Sequence, residues 1–189
     1  MYAIQMIEDE HRSLAAVLHA MLHVVHEIRD SGAAPDFKLF GAMIYYIDTF
    51  PERYHHPKES EYLFPLVCTR HPAAAPLIER LDHEHVLGAE RVRTLEQTLA
   101  RYSNGGVSEF GQFLAAVESY ADLEWRHMSS EEKELLPLAK QYLTPSDWQE
   151  IDATFACHAD PLLGAAVGSQ YDQLFRRIVN LAPTPLGAG

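Results

Sequence analysis

Apolar residues recur along this chain at steps of three and four, and no segment alternates apolar and polar residues for long enough to make a strand. The pattern predicts an all-α fold. A first helix is expected from about Ala3 to Asp30, stopped by Ser31-Gly32 and followed by Pro35 and an N-cap at Asp36. The second helix continues to about Arg70 despite Pro51 and Pro57, which should bend it or cost it a hydrogen bond, and His71-Pro72 breaks it. A third covers roughly Ala74 to Tyr102 and is closed by Asn104-Gly105-Gly106, and a fourth extends from near Ser108 to about Leu143. Four long helices with short joints make an up-down-up-down four-helix bundle over residues 1–143. Thr144-Pro145-Ser146-Asp147 then reads as an N-cap, a proline in the first turn and an acidic residue, opening a short fifth helix to about His158. A sixth, Ser169 to Asn180, is expected to pack on the bundle, with residues 182–189 as a flexible tail.

Composition narrows the partners. The 189 residues suffice for one core, and 15 Lys plus Arg against 27 Asp plus Glu give a net charge of −12, which disfavours nucleic acid and anionic membrane alike. No apolar run approaches the ~18 to 20 residues of a membrane span, and the amino terminus MYAIQMIEDEHR lacks the basic-then-apolar order of a signal peptide, so a cytoplasmic protein is expected. Cys68 and Cys157 are too far apart to suggest a disulfide framework or a thiolate metal site. The eleven histidines are the anomaly.

Their placement carries a repeat. His55-x3-Glu59-x3-Leu63-Phe64-Pro65-Leu66 in the second helix returns as His127-x3-Glu131-x3-Leu135-Leu136-Pro137-Leu138 in the fourth, and Glu10-His11-x-x-Leu14-Ala15 in the first returns as Glu84-His85-x-x-Gly88-Ala89 in the third. The chain reads as a duplicated helical hairpin. At about 100° per residue, His11 shares its direction with Ile4, Ile7, Leu14, Leu18, Leu22 and Val25, and His85 with Ile78, Leu81, Val92 and Leu99, whereas His83 faces away. His55 lines up with Ile44 and Leu66, and His127 with Phe113, Ala116, Tyr120, Leu123 and Leu138. Each Glu four residues on lies only about 40° from its histidine. One His-x3-Glu pair is more often a surface pair than a ligand pair, and one inward histidine is more often a hydrogen-bonded core residue. Here four consecutive helices each supply an inward histidine, and both halves repeat the pair. Four imidazoles and two carboxylates in one interior layer require compensation, which two divalent cations would supply; this donor set without thiolate suits iron best and manganese or zinc less well.

Acidic residues stand three positions before each histidine: Glu8, Glu52, Asp82 and Glu124. They are candidates to accept the second ring N–H, against the plain alternative of solvated surface. A heptad away, the layers should contain Leu18, Asp48, Val92 and Tyr120 on one side and Ile4, Tyr62, Ile78 and Glu134 on the other, which suggests Asp48–Tyr120 and Tyr62–Glu134 hydrogen bonds unless the proline kinks turn the acids outward. His19, His23 and His26 read as boundary residues of the first helix, and His56, with Ser60 rather than a carboxylate four residues on, as a neighbour on the bundle boundary.

The segments Glu10-His11, HHPKESEYLFP (55–65), Glu84-His85 and HMSSEEKELLP (127–137) resemble the hemerythrin-like, or HHE cation-binding, domains over about residues 3–143. The stretches DWQEIDATFACHADPL and LFRRIVNLAP look like the carboxy-terminal extension of bacterial members. The resemblance implies a non-haem di-iron centre with His11 and His55 on one iron, His85 and His127 on the other, and Glu59 and Glu131 bridging. It departs from the oxygen carriers at Ala89, where they have a second third-helix histidine, so each iron is left with two imidazoles and room for a small ligand. That favours sensing or binding of oxygen or nitric oxide, or iron handling, over simple oxygen carriage. The competing expectations are a di-iron enzyme acting on nitric oxide, peroxide, ferrous iron or damaged clusters, and a metal-stabilised interaction module. A second copy of the chain is a further candidate partner.

Overall fold

The computed structural model describes residues 1–156, which contain no strand. Helix α1 is Tyr2–Ser31; it ends where Gly32 turns left-handed (φ 68°) and returns its N–H to the Ile28 carbonyl. Helix α2 spans residues 37–70 and begins at Asp36, whose carboxylate accepts the Leu39 N–H. Helix α3 is Ala75–Gly105, entered by the short turn Pro72–Ala74. Helix α4 spans residues 107–142, and α5 is Pro145–Phe155. The expected joints therefore stand within one to three residues, and α5 ends at Phe155. The second part of the expected extension, including the sixth helix, the tail and Cys157, lies outside the described residues.

The prolines neither break nor simply bend the long helices. Helix α2 widens into π turns at Pro51–His55 and Glu59–Leu63, and α4 does so at Glu131–Leu135. The last two are the repeat made visible. In each, the N–H after the turn, that of Phe64 or Leu136, reaches five residues back to the carbonyl of Glu59 or Glu131. A proline follows immediately in both, Pro65 and Pro137, where the missing N–H loosens the ordinary ladder. The glutamate of each His-x3-Glu pair thus opens a π turn.

The apolar interior falls into two clusters. One gathers Leu18, Met21, Phe40, Met43, Ile47, Val92, Phe113 and Tyr120 among others; the other gathers Ile4, Ile7, Leu63, Phe64, Ile78, Leu81, Leu135 and Leu136. Trp148, Ile151 and Phe155 of α5 belong to the second cluster, each burial being worth roughly 1.5–3 kcal/mol, so α5 completes the core rather than decorating it. A thin polar layer of histidine and glutamate lies between the clusters.

Candidate metal centre

That layer is built from one helix turn of each rod. His11 comes from the first third of α1, His55 and Glu59 from the π-turned stretch of α2, His85 from α3, and His127 and Glu131 from the end of the regular part of α4. All six side chains are at most 8% exposed, and Glu59 and Glu131 are fully buried. They resolve into two overlapping sets of converging donor atoms, His11–His55–Glu59–Glu131 and Glu59–His85–His127–Glu131, so both glutamates are common to both sets.

The separations fit shared ions. His11 Nε2 is 3.1 Å from Glu131 Oε2, His55 Nε2 is 3.4 Å from Glu59 Oε2, and His127 Nε2 is 3.4 Å from Glu131 Oε1. His85 Nε2 lies 3.0 Å from His127 Nε2 and 3.6 Å from Glu59 Oε2. Two donors at right angles on one ion, each about 2.1 Å away, are about 3.0 Å apart. Both oxygens of Glu59, both of Glu131, and the Nε2 atoms of His11 and His55 are buried without a hydrogen-bond partner. Orphaned atoms are rare in folded proteins and expensive, so their convergence on one layer fits a site made for cations.

The electrostatics of the chain by itself are correspondingly uneven. Burial would lower the His11 pKa, but the Glu131 carboxylate 3.1 Å from its Nε2 and the hydrogen bond between its Nδ1 and Glu132 override it and lift it to about 10. Burial also opposes protonation of His127, yet the Glu131 charge raises its pKa well above the usual imidazole value. His55 and His85 are held well below it, first by burial and then by neighbouring imidazoles. Glu59 is pushed up by burial and by Glu131, while Glu131 is pulled down against burial by His127 and His11. One carboxylate is thus anionic between imidazolium rings and its partner tends to carry a proton. A pair of cations would displace those protons and use both carboxylates.

The groups that orient the imidazoles are not the residues three positions earlier. His55 Nδ1 meets Glu10 at 2.6 Å and His127 Nδ1 meets Glu84 at 3.0 Å; His11 Nδ1 meets Glu132 at 3.0 Å and His85 Nδ1 meets Ser60 at 2.9 Å. Each partner sits beside a proposed ligand on a neighbouring helix: Glu10 before His11, Glu84 before His85, Ser60 after Glu59, Glu132 after Glu131. One step of about 100° away from the interior points a side chain at the adjacent helix, where the ring edge of the neighbour's histidine lies. Glu8 is instead half-buried with its carboxylate 3.9 Å from Lys140. Asp82 reaches His85 only through the Ser60 hydroxyl, from which it accepts at 2.6 Å. Glu52 accepts from Tyr120 at 3.2 Å, and Glu124 is buried without serving His127.

The expected Asp48–Tyr120 and Tyr62–Glu134 hydrogen bonds are also absent. Asp48 pairs with Arg53, Tyr62 is exposed, and Glu134 pairs with Arg80 at the surface. Counting by heptads fails because a π turn intervenes between Asp48 and His55, and Tyr62 and Glu134 lie inside π turns themselves. His56 departs from expectation in the opposite sense. It is buried, 4% exposed, its ring stacks on that of His85 at 4.2 Å, and it forms a further converging set with His85 and His127. The only signal in the sequence was its adjacency to His55 in a proline-flanked stretch. Among the other histidines, His19 and His83 are exposed, and His26 faces Glu118 at the surface.

The model of the hemerythrin HHE cation-binding domain matches residues 2–139 of the chain. Comparison with curated proteins and with solved structures gives no match.

Proposed function

Since the chain belongs to the hemerythrin HHE cation-binding family, we propose that His11, His55, Glu59, His85, His127 and Glu131 hold two non-haem iron ions and that the protein uses them to bind or sense a small diatomic ligand such as oxygen or nitric oxide. The observation that carries this reading is the pair of fully buried glutamates, each without a hydrogen-bond partner and each common to both donor sets. Iron held by imidazole and carboxylate supplies redox chemistry and exchangeable coordination positions. The chain does the rest: Glu10, Glu84, Glu132 and Ser60 fix the imidazole tautomers so that Nε2 faces inward, and the apolar clusters on either side keep bulk water from the carboxylates. Manganese or zinc satisfies the same donors less well.

Stripped protein reconstituted with ferrous iron under argon should bind two ions per chain and change its optical spectrum on exposure to oxygen or nitric oxide. His55→Ala and Glu131→Ala should each lose bound metal. Wild-type protein that takes up no stoichiometric metal would overturn the reading. A spectrum indifferent to both gases would remove the diatomic ligand, and repeated turnover with a reductant present would move the protein to the enzymatic alternative.

A further inference from the structure

The four histidines read from the repeat would give two ions with two imidazoles each. His56 disturbs that symmetry. It sits on the single α-helical turn His56–Lys58 between two π turns, and its own N–H bonds five residues back to Pro51. Slowing the rotation of the chain in this way helps to keep two successive residues, His55 and His56, in the interior. His55 then joins His11, while His56 joins His85 and His127.

His56 shares the layout of the other four imidazoles only in part. Its Nδ1 lies 3.4 Å from an outer carboxylate oxygen, Glu52 Oε2, without a hydrogen bond to it, while the ring stacks on that of His85 and offers a nitrogen that converges with those of His85 and His127. Glu52 has a side chain only 6% exposed and is held by the Tyr120 hydroxyl. Gly88 leaves the space this requires: a Cβ there would stand 3.0 Å from Glu52 Oε1 and 3.3 Å from Glu124 Oε1. Gly88 directly precedes Ala89, the position that lacks the extra third-helix imidazole.

We infer that His56 is a fifth metal-binding imidazole, supplied from α2 to the ion held by His85 and His127, its ring turning off the stack with His85 and toward Glu52 as the ion binds. The centre is then asymmetric, with three imidazoles on one ion and two on the other. The more open coordination position falls to the His11–His55 ion, where a surface groove is lined in part by His11, Trp125, Met128 and Glu132.

The inference rests on the two-ion reading, and anaerobic titration of the full stripped chain with ferrous iron separates the two. Wild type should take up two ions. His56→Ala should keep one at wild-type affinity and bind the second at least about tenfold more weakly, and free imidazole should restore that second ion in His56→Gly. A wild type without two ions defeats the underlying reading. A wild type with two ions and a His56→Ala variant that binds both unchanged, or a His56→Gly variant that imidazole does not rescue, defeats the inference alone. A measurement on the unmutated protein gives an independent check: loaded with cobalt(II), it should show five hyperfine-shifted, solvent-exchangeable imidazole N–H signals, and four would overturn the assignment.

Discussion

At the residue scale the consequential feature is that the metal layer is charged unevenly before any cation enters. His11 has a folded-state pKa of about 10 against an ordinary 6.5. Folding therefore favours its proton, and the associated stability is fully present below about pH 6.5 and lost as pH rises through about 10. The raised pKa of His127 acts in the same direction. The groups shifted the other way, His55, His85 and Glu131, titrate below this window. Chelated protein should accordingly melt at progressively lower temperature as pH is raised from about 6.5 to 10. Metal-loaded protein should lose this slope, because bound imidazole is already deprotonated, and should instead release metal as pH falls. Circular-dichroism melts of both forms across that range check the sign. Glu10 belongs to the same economy of protons: burial lifts its pKa to about 7, and it is the acceptor that holds His55.

At the element scale α5 is fastened at both of its ends, and the fastening is local chemistry. Asp147 closes a reciprocal cap with Thr144 and receives two hydrogen bonds, each 2.8 Å, from the Arg70 guanidinium at the end of α2. Its carboxyl pKa is held well below the usual range, chiefly by Arg70. Asp152, one helix face away, accepts the Ala3 N–H at 2.7 Å and so satisfies one of the free donors at the start of α1. Asp147→Ala should cost about 1–2 kcal/mol, the value of a lost cap plus a partly exposed ion pair. Urea unfolding measures that loss, and hydrogen exchange should locate it in α5 and the first turn of α1, with the histidine layer unchanged.

At the scale of the whole molecule the two apolar clusters flank a layer in which both oxygens of Glu59 and of Glu131 and the Nε2 atoms of His11 and His55 have no hydrogen-bond partner. Cations that bind this layer and not the unfolded chain stabilise by mass action, by about 2.7 kcal/mol at a hundredfold excess over Kd. Chelation should lower the melting temperature by several degrees, with reconstitution restoring it; a melting temperature indifferent to chelation would mean that the clusters hold the bundle without help from the layer. What the sequence by itself determined is whatever depends on one helix at a time. Period and caps place α1 to α5, and the repeated His-x3-Glu and Glu-His pairs single out six side chains, each on the inward face of its own helix, because a helix fixes the direction of a residue relative to its own neighbours. What only the tertiary structure decided depends on two helices at once or on the width of a turn. The carboxylates that grip the imidazoles come from adjacent helices, so Glu10 serves His55 and Glu84 serves His127 where Glu52 and Glu124 were expected. His56 turns inward, and Asp48 and Tyr62 outward, because π turns change the rotation per residue that any count along the chain assumes.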